Sequence, residues 1–528
     1  MKNSIFKIKR LFTTILYLKP IQFYYRLYYA VRKKIRILFN RRYLFIKRSK
    51  VTPLVLCNTI PASNCFNKNT FIFLNRSYKY NEKIDWNYGE YGKLWTYNLT
   101  YFDYLNQEEI NEKTAKKIIY DFIDNIYTVK DGLMPFPISL RSINWIKFLS
   151  KYQIIDPKIN DSLYAQYYIL LDNIEYHILG NHLLENGFSL LIGAYYFQDE
   201  KLYNRAHTIL INELEEQILN DGAHFELSPM YHQIMLFRVL DCINVMQHNR
   251  WKEKELLSFF VSKAEKMLGW LKCMTFKNGE IPLFNDSTNG IAPTSKELFD
   301  YALKLNIKPK KILLRDSGYR KISHQEYECI IDVGNIGPDY IPGHAHSDTF
   351  NFELYVKGSP VIVDTGLSTY EANEVRTMER STSSHNTVEL EGENQTEVWG
   401  GFRVAKRAKI IHLLEKNNMV QATHNGYKSM GCLHSREWYF FENSIKILDI
   451  IKGEEIQNAI AYLHFHPNLA VEIEDNHVIT SLIKIVFPPT VVLSLSEYNY
   501  ASEFNQTIKS LVLKVIFKNN LTMEIITL

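Results

Sequence analysis

The sequence is poor in the residues that break or staple a chain. Glycine (22) and proline (16) are sparse among 528 residues, which excludes a collagen-like or low-complexity protein. The six cysteines, Cys57, Cys65, Cys242, Cys273, Cys329 and Cys432, form no Cys-x-x-Cys pair and no regular framework. Neither a disulfide scaffold nor a thiolate zinc site is expected. No stretch reaches the ~18 uninterrupted apolar residues of a membrane span. The longest apolar run near the start, LFTTILYL at 11–18, ends in Lys19-Pro20 without a small-residue cleavage motif, a poor signal peptide. The expected location is therefore cytoplasmic or peripheral on the inner membrane, with export as the alternative.

Acid is missing from one end. Residues 1–50 hold 15 Lys+Arg and no Asp or Glu, leaving 47 basic and 57 acidic groups in the rest (62 − 15 against 57). A basic, aromatic arm, IQFYYRLYYAVRKKIRILFNRRYLF, thus precedes a mildly acidic body. Such an arm suits an anionic membrane surface or an acidic polymer. Peripheral membrane contact through residues 1–50 is the expectation and nucleic acid is not; a basic helix lying on the acidic body is the plainer reading.

What is abundant is apolar and aromatic: 46% hydrophobic residues, with 35 Tyr and 30 Phe, enough for more than one core. From about 110 to 310 the apolar residues recur at helical spacing, as Ile118, Ile119, Phe122, Ile123 and Ile126 do in TAKKIIYDFIDNIYT, and short polar links separate such stripes. After about 315 strand-like runs follow one another, among them YECIIDV, TFNFELYV, PVIVDTG and LVLKVIF. In TFNFELYV the alternation predicts a half-buried strand. The expected organisation is the arm (1–50), a helical domain (51–315) and an antiparallel β-sandwich (316–528).

Three stretches carry residues suited to chemistry. GNHLLENG places Asn181, His182 and Asn186 at a helix start, where asparagine also serves as a plain cap. DGAHFELSPMYHQ brings His224, Glu226, Tyr231 and His232 into a loop entering a helix. A tyrosine there is either packed or tuned for proton transfer. GHAHSDTF aligns His344, His346 and Asp348 on one face of a strand start, followed by Asp364 and His385. Histidine and aspartate together suit zinc or a similar divalent ion; a polar sheet face is the bland alternative.

NHLLENG, DGAHFELSPMYH, GHAHSDTFNFELYVKGSPVIVDTG and STSSHNTVEL together resemble, in order, the signature segments of the heparinase II/III family of polysaccharide lyases. KLWTYNLTYFDYL and LRSINWIKF resemble the family's early helical segments. The resemblance implies an incomplete α/α toroid followed by an antiparallel β-sandwich, acting on a uronic-acid polysaccharide. By motif, Asn181 would hold the substrate carboxylate with His182 beside it, Tyr231 would be base and acid, and His344 would face them. His346, Asp364 and His385 would bind a metal, zinc in many relatives. Glu226 and His232, within or beside the motifs, and Arg141, Arg376 and Arg380, whose forks match carboxylate or sulfate, are candidate substrate contacts. Trp145, with Tyr101 and Trp399, is a candidate for stacking on sugar rings.

The C5 proton of a uronate lies α to a carboxylate, and removing it drives charge into an anionic group. Donors that neutralise that carboxylate stabilise the enediolate, each worth ~3–4 kcal/mol. A phenol of ordinary pKa ~10 needs nearby positive charge or donors to act as base. Expelling O4 gives a lyase; returning the proton to the opposite face gives a C5-epimerase, which the same residues would serve. A catalytically idle polysaccharide-binding protein is the rival of another class. A hydrolase is disfavoured because no pair of carboxylates presents itself.

Overall fold

The computed structural model describes residues 2–39, 43, 50–252, 255–454 and 458–528, and only the backbone of residues 2–7. Part of the basic arm, 40–42 and 44–49, lies outside the described residues.

Helices dominate the first part. α1 (Lys2–Ile15) and α2 (Pro20–Leu38) form the arm. α3 (Lys93–Tyr101), α4 (Glu112–Asn125), α5 (Pro135–Lys151), α6 (Pro157–Asp172), α7 (Gly180–Phe197), α8 (Glu200–Gln217), α9 (Pro229–His248), α10 (Glu255–Met274) and α11 (Ser295–Lys304) follow. Their starts are written locally. Asn111, Asp156, Asp199 and Ser228 each cap a helix by accepting a backbone N–H with the side chain, and Pro stands in the first turn of α2, α5, α6 and α9, where its missing N–H costs nothing. α4 shows the expected stripe, burying Ile118, Ile119, Phe122 and Ile123. α5 differs: it is buried on every side from Pro137 to Ser150, packed against α3, α6 and α7.

Strands dominate from Tyr319 onward. Two four-stranded sheets, one eight-stranded sheet and a two-stranded ribbon (Val398–Trp399 with Arg403–Val404), every ladder antiparallel, make up the second part among the described residues. Phe352–Val356 pairs with Tyr327–Asp332 and with Ser359–Ile362. The half-buried strand expected at 349–356 is corrected here. Regular structure covers Phe352–Val356 only, and all five residues are buried. Phe352, Leu354 and Val356 enter the sandwich core, while Tyr355 stacks on Phe276 of the helical part at 3.7 Å. The sheet is thus covered on both faces, which removes the alternation a solvated face would impose. A small cluster containing Trp270, Phe276, Phe284, Tyr319 and Tyr355 joins the two parts.

Candidate active site

Two helix starts and two loops converge where the parts meet. α7 begins at Gly180, whose φ of +60° suits glycine; a Cβ there would come within 2.8 Å of Glu226 Oε1. Asn181 and His182 therefore stand in the first turn of α7, at the positive end of the helix dipole. Tyr231 stands in the first turn of α9, its N–H donated to Ser228 Oγ at 3.2 Å. From the sandwich side comes 343–351, which is irregular rather than strand. His344 and His346 therefore do not share a strand face; they share a carboxylate.

That carboxylate is Asp286, in the loop between α10 and α11. His344 Nδ1 donates to its Oδ2 at 2.8 Å and His346 Nε2 to its Oδ1 at 2.8 Å. Arg376 grips both oxygens with its two terminal nitrogens. Burial alone would raise the Asp286 pKa, but Arg376 and the two histidines hold it well below the usual carboxylate range. Its negative charge fixes the rotation of His344.

His344 in turn touches the rest of the site. Its ring lies 3.9 Å, centroid to centroid, from that of Tyr231, and its Nε2 is 3.4 Å from Asn181 Nδ2. Asn181 is held from behind: its N–H and Nδ2 donate to the two oxygens of Glu226 at 3.0 and 2.9 Å. The Tyr231 hydroxyl meets that of Tyr370 at 3.1 Å. Burial, with the Asp286 and Glu226 charges, raises the Tyr231 pKa well above that of a free phenol; the Tyr370 hydrogen bond and the Arg376 charge offset this only in part. The His182 side chain is 33% exposed and hydrogen-bonded to Glu175 Oε1 at 3.1 Å. Burial lowers its pKa, but the Glu175 carboxylate outweighs this and the net shift is upward, favouring a positive charge beside Asn181. Phe402 closes one wall, 5.9 Å from the His344 ring and 5.2 Å from Tyr370.

The arrangement brings together an amide, two imidazoles and a phenol where the helical and strand-rich parts meet, and leaves out several expected contacts. Arg141 is sealed in α5, donating to Gln166 Oε1, Thr100 O and Gly132 O, with its pKa pushed down to about 9 by burial. Trp145, also fully buried, packs edge-on against Phe102 and Phe122. His232 is enclosed against Trp270 at 4.3 Å; its Nδ1 accepts the His224 N–H and its Nε2 faces Met267 O. Arg380 is spent on the carbonyls of Ala345, Gly400 and Gly401, and Arg376 on Asp286. Glu226 lies beneath Asn181. None of these six offers its polar group to a ligand: each was expected to bind substrate, and each instead supports a neighbour or the core. Tyr101 is buried as well, and the Trp399 indole donates to Thr14 of the arm.

Asp286, Tyr370, Glu175 and Phe402 escaped the sequence reading. Asp286 sits in FNDST and Tyr370 in LSTYE, stretches without a motif of their own, because what they touch lies far away in the chain.

For a metal, the donors expected were His346, Asp364 and His385. His346 Nδ1 and His385 Nε2 are buried with no hydrogen-bond partner, on rings 5.2 Å apart. Burial holds the His346 pKa down to about 4, against the pull of Asp286, so its imidazole is the neutral form a metal requires. Both nitrogens are open donors, but the Asp364 carboxylate shifts the His385 pKa upward and so opposes the neutral form there. Asp364 stands behind His385, accepting from His385 Nδ1 at 2.8 Å, Asn351 Nδ2 at 2.5 Å and the Gly366 N–H at 3.0 Å, the place of a ligand's orienting partner. Among the described residues no group of three His, Cys, Asp or Glu is set to hold a metal ion.

The chain is similar in sequence and fold to known proteins. A family model described as Heparinase II/III N-terminus matches residues 157–311, and one described as Heparinase II/III-like, C-terminal, matches 306–518. A heparin-sulfate lyase of Bacteroides stercoris is 26% identical over 318 residues, 53% of this chain and 45% of that protein. One from Pedobacter heparinus is 26% identical over 246 residues, 41% and 36% respectively. The matches thus span less than half the length of these curated relatives. The crystal structure of a heparinase III aligns over 96% of this chain and 91% of its own, with TM-score 0.66 and 16% identity, a likeness of fold.

Proposed function

The chain belongs to the heparinase II/III family, and on that premise we propose that it cleaves a uronic-acid-containing polysaccharide by β-elimination. The observation that carries this reading is the meeting of Asn181, Tyr231 and His344 from three separate segments. Pure binding needs no phenol stacked on an imidazole that a buried carboxylate orients.

In this reading the substrate carboxylate sits against Asn181 Nδ2 and His182 at the start of α7, where amide, imidazolium and helix dipole neutralise it. That makes the C5 proton acidic enough to leave. Tyr231, as phenolate, takes it; the Tyr370 donor favours that charged form against the upward pull of burial. His344, its Nδ1 proton held by Asp286, presents Nε2 to the reacting sugar. Tyr231 then returns the proton to O4 as the C4–O4 bond breaks, leaving an unsaturated uronate and a new chain end. Protonation from the other face instead would make the same site a C5-epimerase.

Two further parts of the proposal concern partners. A divalent ion, zinc by its preference for imidazole nitrogen, would be held by His346 and His385, with Asp364 behind His385. Its contribution when bound would be to fix the sandwich side of the site. Residues 1–50 would supply a peripheral contact to a membrane surface.

The deciding experiment incubates the protein with a panel of heparan-, chondroitin- and alginate-type polymers. Ultraviolet absorbance of unsaturated uronate reports elimination, and solvent-deuterium uptake at C5 without it reports epimerisation. Tyr231→Phe should abolish either signal. Retention of wild-type activity in that variant would overturn the reading.

A further inference from the structure

Each N-terminal helix spends one face on the body. On α1 and the turn after it that face is Arg10, Thr14 and Tyr17: Arg10 Nε donates to Glu397 at 2.8 Å, Trp399 Nε1 donates to Thr14 Oγ1 at 3.1 Å, and Arg407 lies 3.6 Å over the Tyr17 ring. On α2 it is Gln22, Tyr25, Tyr29, Arg32 and Arg36. Gln22 Nε2 donates to Ile178 O at 3.1 Å, and the Tyr29 hydroxyl to Ile174 O at 2.5 Å. Tyr25 stacks on Tyr176 at 4.7 Å, and Arg36 pairs with Asp172 at 2.9 Å. Lys19, between the helices, pairs with Glu216. The arm is therefore docked along a defined line on both the toroid and the sandwich.

The opposite faces are apolar and bare. At helical spacing they read Ile8, Leu11, Phe12 and Ile15 on α1, with Leu16 just past its end, and Tyr24, Leu27, Tyr28, Val31, Ile35 and Leu38 on α2, all exposed, Phe12 at 62%, Leu27 at 69% and Leu38 at 79%. A docked amphipathic helix turns its polar side outward; these two turn outward what folding alone would hide. Lys9, Arg26, Lys33 and Lys34 flank the stripes, exposed, and no acidic residue occurs anywhere in residues 1–50. Apolar stripes rimmed by cations, with tyrosines at the edge, match the boundary between acyl chains and anionic headgroups. No described helix is long and apolar enough to cross a membrane.

We infer that the outward face of α1 and α2 is a docking surface for an anionic phospholipid bilayer, the stripes entering the headgroup–acyl boundary and the flanking cations meeting the phosphates. This deepens the membrane contact offered above and does not depend on the lyase reading. It also sets the candidate site near the membrane, since α1 rests on Glu397, Trp399 and Val404, close in sequence to the Phe402 that packs on His344 and Tyr370.

The test is flotation of the full chain with vesicles of phosphatidylcholine and phosphatidylglycerol, against vesicles of phosphatidylcholine alone. Wild type should float with the anionic vesicles only. Leu27→Gln/Val31→Gln/Ile35→Gln should cut the bound fraction at least about tenfold, with an unchanged melting temperature. Lys33→Gln/Lys34→Gln should weaken binding and flatten its loss with salt. Equal flotation of the apolar variant would overturn the inference while leaving a purely electrostatic membrane contact. Absence of flotation at any lipid composition would overturn both, with polymer cleavage untouched. A wild-type dimer in light scattering that the apolar variant makes monomeric, without flotation, would overturn it in favour of a second copy as occupant.

Discussion

Asp286→Asn is the sharpest perturbation of the candidate site. The carboxylate accepts from His344 Nδ1, His346 Nε2 and both terminal nitrogens of Arg376, and every partner except His344 is fully buried. An amide keeps the shape and loses the charge, and its NH2 must face donors on one side. Two costs follow. Arg376 becomes a buried cation without a counter-charge, which typically costs about 3–5 kcal/mol. His344 loses the acceptor that holds its proton on Nδ1; a comparable loss of tautomer control in a serine-protease triad costs about 10⁴ in kcat. We expect a clear fall in melting temperature and a drop in kcat of roughly 10²–10⁴, read as unsaturated uronate released. The two costs separate in Asp286→Asn/Arg376→Met, which removes the orphaned cation. Stability should recover in part and activity should not. A single variant that melts and turns over like wild type would refute the reasoning, as would a double variant whose losses simply add.

Tyr370→Phe removes the donor that lowers the Tyr231 pKa, so the alkaline shift of the acidic limb of kcat against pH should exceed any change in KM. An unchanged profile would remove Tyr370 from the chemistry. His232 is held neutral, its pKa pushed down to about 3 by burial, whereas in the unfolded chain it titrates near 6.5. Its contribution is complete above pH about 6.5 and is lost at ~1.4 kcal/mol per pH unit as pH falls toward the folded value, because only the unfolded state takes the proton. Denaturant unfolding at pH 7.5 and 5 should show a slope to which the buried His224, His346 and His464 add, and His232→Gln should reduce it by about 1.4 kcal/mol per pH unit; an equal slope in the variant would refute the assignment. Arg141→Lys, which loses the forked bond to Gln166 and a carbonyl, should cost about 3 kcal/mol of stability with KM unchanged; a raised KM would return Arg141 to the substrate. Removing bound metal, verified by elemental analysis, should lower the melting temperature, and an unchanged melt would dismiss the ion proposed at His346 and His385.

Helix and strand classes were legible because they are written in nearest-neighbour chemistry. The stripe of α4, the Ser228-Pro229 start that sets Tyr231 in a first turn, and the Gly180 that admits Asn181 beside Glu226 are local signals. Burial was legible only where one face meets solvent. α5 and Phe352–Val356 are covered all round, so their polar residues looked available when they are enclosed. Arg141, Trp145 and His232 have the residue types that bind sugars, and the same types satisfy core carbonyls and aromatic packing.

The sequence by itself determined the order of the parts, the acid-free arm and the three short segments that supply Asn181, Tyr231 and His344. Periodicity, capping and charge are properties of neighbours along the chain. Only the tertiary structure decided that His344 and His346 divide one carboxylate, that Tyr370 lies against Tyr231, and that the arm's helices turn an apolar face outward. Those facts depend on contacts between residues 58, 60 and 139 positions apart, and on which side of a helix a distant surface has already taken.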